Sequence, residues 1–175
     1  MENSLDDVMP ESPSVKSLAF KYGGLLGAIM VIYGLILQFA GLATNQALSY
    51  VNYLFIIVAM VLAHSEYKRL GDGLMPYGKA LGIATLTAVI GAAISVIFSY
   101  IYIKFVDDSL LALMEETQIQ SMEEQGLSQE QIDQTLEISS AFMIPEVIFP
   151  IAFLAFSFFS FILALIVSAI TQKTS

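Results

Sequence analysis

The side chains able to do chemistry in this 175-residue chain are few and unevenly placed. Ten of its sixteen acids lie between Asp107 and Glu146. Two pairs among them, Glu115/Glu116 and Glu123/Glu124, repeat eight residues apart, which is about two turns of a helix. At that spacing they can present one anionic stripe to a basic partner or to divalent cations. Calcium sites gather about six to eight oxygens around a loop, and no such loop pattern occurs here, so no specific metal site is expected. Glu115, Glu116, Glu123 and Glu124 are therefore the partner-binding candidates. The plainer alternative is that the acidic faces are solvated and the apolar faces beside them rest on the bilayer or on each other.

Other chemistry is largely excluded. The chain has one histidine, His64, and no cysteine, which removes multi-histidine metal sites, thiol nucleophiles and disulfides. It contains no Gly-x-Ser-x-Gly, no His-Glu-x-x-His and no phosphate-binding glycine loop; Gly71-Asp72-Gly73 is a turn. No basic patch suits nucleic acid. The expectation is a protein that is not an enzyme and that takes no cofactor and no nucleic acid.

The elements that must position these groups follow from composition. The chain is 57% hydrophobic and 13% charged, against about 25% charged for an average soluble domain. Four long apolar stretches, about 17–42, 48–64, 80–103 and 147–170, lack a mid-segment charge. About 20 helical residues cross a hydrocarbon core of about 30 Å, so each is expected to be a membrane span, the short second one borrowing flanking residues. The segment before the first span carries Glu2, Asp6, Asp7 and Glu11 and no base until Lys16. A signal peptide starts basic and has a shorter apolar region, so span 1 is read as retained. An ionisable side chain deep in a membrane marks function by default, and none stands near a span centre. Gln38 lies toward the outer end of span 1. His64 is placed at the inner end of span 2 as a boundary residue, and Glu146 at the outer end of span 4, where the helix dipole favours an acid.

Charge sets the expected direction of the spans. Lys16, Lys21, Lys68, Arg69, Lys79 and Lys173 fall on one side if both termini lie there, and only Lys104 falls on the other. The positive-inside rule makes the six-base side cytoplasmic. Tyr22, Tyr67 and Tyr77 then mark the inner interface, and Tyr50, Tyr53, Tyr100 and Tyr102 the outer one. The ten outer acids against Lys104 carry the whole formal charge of −9, while the remaining six acids and six bases cancel.

The acidic loop reads as folded. It holds no proline between Phe105 and Ile144 and one glycine, Gly126, where linkers are richer in both. Gly126 suits a helix stop. Ser128 and Gln131 form a capping box, with Leu127 and Ile132 as its hydrophobic staple. Two short helices, about 108–124 and 129–143, are predicted within a hairpin over 107–143. In the membrane, helices approach closely at small residues. Gly23 and Gly27 of span 1, Thr87, Gly91, Ser95 and Ser99 of span 3, and Ser160, Ala164 and Ser168 of span 4 are the expected packing positions, with Ser157 nearby. Phe149, Phe153, Phe156, Phe158, Phe159 and Phe161 should largely face lipid. Tyr22-Gly23-Gly24-Leu25-Leu26-Gly27 and Tyr77-Gly78-Lys79-Ala80-Leu81-Gly82 match at four of six positions; a parallel repeat and chance both account for this.

Three segments in this order and spacing carry a resemblance: Lys21-Tyr22-Gly23, Met75-Pro76-Tyr77-Gly78-Lys79-Ala80 and Glu124-Gln125-Gly126-Leu127-Ser128-Gln129-Glu130-Gln131-Ile132. On them the chain, from about residue 16 to 172, resembles the bacterial membrane-protein family catalogued as domain of unknown function 4199. The resemblance implies a multi-pass cell-membrane location and carries no activity, substrate or site residues. The expected architecture is all-α: a polar cytoplasmic tail over 1–16, then one four-span bundle over 17–172 with an extracytoplasmic helical hairpin between spans 3 and 4. The expected location is the cell (inner) membrane with both termini cytoplasmic. The expected role is a non-enzymatic scaffold that binds a protein partner through the hairpin, and a homo-oligomer is a further expected partnership. A subunit of a small oligomeric transporter or channel is the alternative, and its mark would be a polar cavity lined by Thr87, Ser95 and Ser157.

Overall fold

The computed structural model describes residues 14–140 and 142–174; residues 1–13 of the expected tail lie outside them. Seven helices follow one another: α1 (Val15–Phe39), α2 (Gln46–Ser49), α3 (Val51–Leu70), α4 (Tyr77–Phe105), α5 (Ser109–Glu124), α6 (Gln129–Ser140) and α7 (Pro145–Thr171). Four stretches are long and apolar enough to cross a membrane: α1, α2 with α3, α4 and α7. The protein is an all-α membrane bundle. With four such helices in succession, α5 and α6 lie at the end opposite Ser14 and Thr174; we call these the hairpin end and the basic end.

Local chemistry sets the helix ends. Ser14 caps α1 by accepting the amide of Ser17 at 3.4 Å. Span 1 stops at Phe39, three residues short of the expected 42, because Gly41 takes a positive φ of 67°. Its amide bonds the Gln38 carbonyl, and the Leu42 amide bonds that of Leu37 at 2.8 Å, which closes a Schellman motif. At the second expected span the helix extends further. Its main helix runs Val51–Leu70, not 48–64, so the polar run from His64 to Arg69 is helical. Lys68 permits this by reaching back to donate to the Thr171 carbonyl at 3.1 Å.

The spans pack as a bundle in which α3 and α4 each touch every other span, and α1 against α4 is the largest contact. Leu26, Met30, Ile56, Met60, Ala84, Ala88, Ala164 and Val167 form the central core. Leu18, Ala63, Tyr67, Met75, Ala80 and Ile83 form a second cluster toward the basic end. There Met75 and Lys173 exchange backbone hydrogen bonds of 2.7 and 3.0 Å, which ties the α3–α4 turn to the C-terminal residues. Large apolar side chains such as Phe20, Ile32, Leu54, Ile97, Leu154 and Ile166 are exposed around the bundle. In a membrane this surface meets acyl chains as apolar as itself. The α7 phenylalanines divide, contrary to the expectation for all six. Phe158, Phe159 and Phe161 are exposed, whereas Phe149, Phe153 and Phe156 are half-buried. Phe156 stacks on Tyr53 at 6.0 Å and Phe149 meets Tyr100 edge-on at 5.9 Å.

Candidate functional site

The acidic hairpin is built from its caps outward. Gly126, with φ 78°, ends α5. The Gly126 and Leu127 amides bond the carbonyls of Glu123 and Met122 at 2.9 and 3.2 Å. The Ser128 amide then donates to Gln131 Oε1 at 2.9 Å, and the Gln131 amide donates to Ser128 Oγ at 3.4 Å, the two halves of a capping box. Helix α6 ends at Ser140, short of the expected 143. The hydroxyls of Ser139 and Ser140 donate to the Leu136 and Glu137 carbonyls, and Ile144, before Pro145, is extended. Met122 and Ile132 are the buried apolar side chains of the hairpin. The hairpin meets the bundle chiefly where α5 follows α4.

Glu115, Glu116, Glu123 and Glu124 are all exposed. At about 100° per residue, Glu116 and Glu123 point within about 20° of each other, while Glu115 and Glu124 fall on opposite faces. The four therefore fan across half of α5 around a central Glu116–Glu123 line. Among the described residues three ion pairs form, Lys21–Glu66, Arg69–Glu66 and Lys104–Glu146, and none includes an acid of α5 or α6. Nor do three His, Asp or Glu side chains converge there as metal ligands. At the start of α5 the amide of Ser109 donates to Asp107 at 2.9 Å and holds that carboxyl below its ordinary range.

Inside the bundle the expected packing residues separate into two groups. A Cβ on Gly23 would lie 2.7 Å from Ile90 Cβ and 2.9 Å from the Thr87 carbonyl; one on Gly27 would lie 2.7 Å from Ile94 Cβ; one on Gly91 would lie 2.7 Å from Leu26. These residues form one α1–α4 seam that excludes larger side chains. The matching residues of the sequence echo are used differently: Gly78 faces open space and Gly82 meets only Val15 at 3.8 Å. On α7, Ser160, Ala164 and Ser168 are fully buried. Ser95 and Ser99 belong to the second group. They line a cavity of about 200 Å³ at the hairpin end, with Gly34, Gln38, Ser49, Asn52 and Tyr102. Thr87 is fully buried, and neither it nor Ser157 lines this cavity, so no polar path joins Thr87, Ser95 and Ser157 there.

The basic end holds two polar clusters that sequence reasoning missed. Glu66 accepts from Lys21 at 2.7 Å, from the Tyr22 hydroxyl at 2.6 Å and from Arg69 at 3.3 Å. Its side chain is 12% exposed, against 53% for Lys21. His64 lies at the basic end, beside the first turn of α4 and the last residue of α7, and is fully buried. Its Nε2 lies 2.8 Å from the Ala80 carbonyl and its Nδ1 2.7 Å from Thr171 Oγ1. A carbonyl only accepts, so Nε2 carries the proton. Lys21 and Glu66 fall at the same end of adjacent spans, a signal that the sequence offers once the second span is extended to Leu70.

A family model described as a protein of unknown function (DUF4199) matches residues 21–173. No curated protein and no solved structure matches the chain.

Proposed function

The chain belongs to that family of unknown function, and from this premise we propose that it is a non-enzymatic membrane protein that holds a basic protein partner on its acidic hairpin. The membrane is the cell (inner) membrane, with the termini cytoplasmic and the hairpin outside. The observation that carries this reading is the hairpin itself, whose helices, joined by a capping box, hold exposed acids with no base paired to them among the described residues. A fixed anionic face of this kind steers and orients a cationic surface. A crosslinking pulldown from native membranes tests it. Replacing Glu115, Glu116, Glu123 and Glu124 together by glutamine should release the partner; retention of every partner would defeat the proposal. Reporter fusions at residue 125 and at the C-terminus test the orientation, and activity on the same side would refute it.

The transporter or channel reading draws on the cavity at Ser95 and Ser99. It is the weaker one, because along α1 the cavity's lining reaches no farther from the hairpin end than Met30, which is buried. Cysteine substitutions suit the cysteine-free chain. A maleimide applied from the hairpin side should label Ser95→Cys and leave Thr87→Cys unlabelled; labelling of both would restore a continuous pathway.

A further inference from the structure

We propose that the groove between the hairpin-end halves of α4 and α7 binds one phospholipid whose headgroup carries a primary ammonium beside its phosphate. Two hollows meet there. The first is apolar and lined by Ala93, Val96 and Ile97 of α4 with Phe149, Pro150 and Phe153 of α7. The second is polar and lined by Lys104, Asp107, Asp108 and Glu146. They share Pro145 and Glu146, so one elongated amphiphile can occupy both.

The dimensions fit one leaflet. Ala93 and Lys104 are eleven residues apart on α4, about 16 Å along the axis, and half of a hydrocarbon core of about 30 Å is about 15 Å. The apolar groove therefore has the depth of one acyl chain, and the polar hollow sits at headgroup level. Phe105 and Val106, both largely exposed, rim it there.

The charges select the headgroup. Lys104 is paired to Glu146 and donates to the Tyr100 hydroxyl at 2.9 Å, and that hydroxyl lies 3.4 Å from Glu146. A zwitterion can lie antiparallel on this pair, phosphate toward Lys104 and ammonium toward Glu146, without breaking it. Three carboxylates surround the single lysine, so the hollow is net negative and repels an anionic lipid. Asp108 stands at the start of α5 without making a side-chain cap bond, which leaves its carboxylate for the ammonium. A primary ammonium brings three donors to these acceptors; a quaternary choline brings none.

The test is native mass spectrometry of the full chain, delipidated in detergent and offered phosphatidylethanolamine, phosphatidylcholine or phosphatidylglycerol with identical acyl chains. The expected result is a one-to-one adduct with phosphatidylethanolamine retained about tenfold more than either competitor, the ratio that about 1.4 kcal/mol gives. Asp108→Asn should reduce that preference, and Ala93→Phe should lower retention of all three lipids by filling the groove. Helicity and thermal unfolding by circular dichroism identify variants that fold. Equal retention of the three lipids by the unmodified chain, meaning annular lipid only, overturns the proposal. So does a preference for phosphatidylglycerol, which would assign the site to Lys104 alone.

Discussion

A hydroxyl buried in a membrane bundle should find an acceptor, and those of Thr85, Thr87, Ser157, Ser160 and Ser168 have none. Thr117, Thr135 and Thr171 instead bond the carbonyl four residues back. Thr87 is fully buried with no partner for its hydroxyl, so what its side chain must satisfy there is the shape of the packing around it. Thr87→Val keeps that shape, and an interhelical hydrogen bond inside a bundle averages only about 0.6 kcal/mol. Its thermal unfolding in detergent should match the unmodified chain or rise slightly; a loss above about 1 kcal/mol would reveal a polar role for the hydroxyl. Asp107 makes a pH-dependent prediction. Its folded pKa lies below the ordinary carboxylate value because the Ser109 amide bonds it. The stability it gives is complete above the unfolded pKa and is lost as pH falls through the folded one. Acid titration of the first turn of α5 by amide NMR should show that loss, and Asp107→Asn should flatten it.

At the scale of elements, glycines decide whether helices touch. Gly91 receives Leu26 with no room for a side chain. Gly91→Leu should separate α1 from α4 and cost about 1–3 kcal/mol or more from overpacking, read as a lower unfolding temperature in detergent. Gly34→Leu is the control, since a Cβ there meets nothing within 4 Å. The terminators show what was legible. Ser128, Gln131 and Gly126 announced the turn of the hairpin because capping is written in adjacent residues. Gly41 ends α1 by the same physics, yet it sits within an apolar run that hydropathy alone carries through to Leu42. The basic end of α3 was illegible for another reason. His64 and Glu66 look like the edge of a span until Ala80, Thr171, Lys21 and Tyr22 arrive from other helices to satisfy them.

For the whole molecule, charge separation is the governing feature. Ten acids gather in one loop region, and among the described residues none on α5 or α6 is paired. Attraction between exposed charges weakens as the Debye length shrinks, from about 8 Å at physiological ionic strength to about 3 Å at 1 M. Partner capture through the hairpin should therefore fall steeply between low salt and 1 M salt in the pulldown. Capture that ignores salt would place the contact on the apolar surfaces instead.

The sequence by itself determined four membrane-length helices, the hairpin between the last two, its caps, and the placing of all net charge in that loop. These are properties of neighbouring residues and of long apolar runs, readable without knowing what packs on what. Tertiary structure decided which small residues are contacts: Gly23, Gly27, Thr87 and Gly91 close a seam, while Ser95 and Ser99 open a cavity. It also joined Lys104 to Glu146 across 42 residues of chain and put an apolar groove beside them. The reason is physical. Hydropathy fixes that a helix lies in the membrane, but rotation about its axis is fixed only by the neighbours it meets, and with it the chemistry each face can offer.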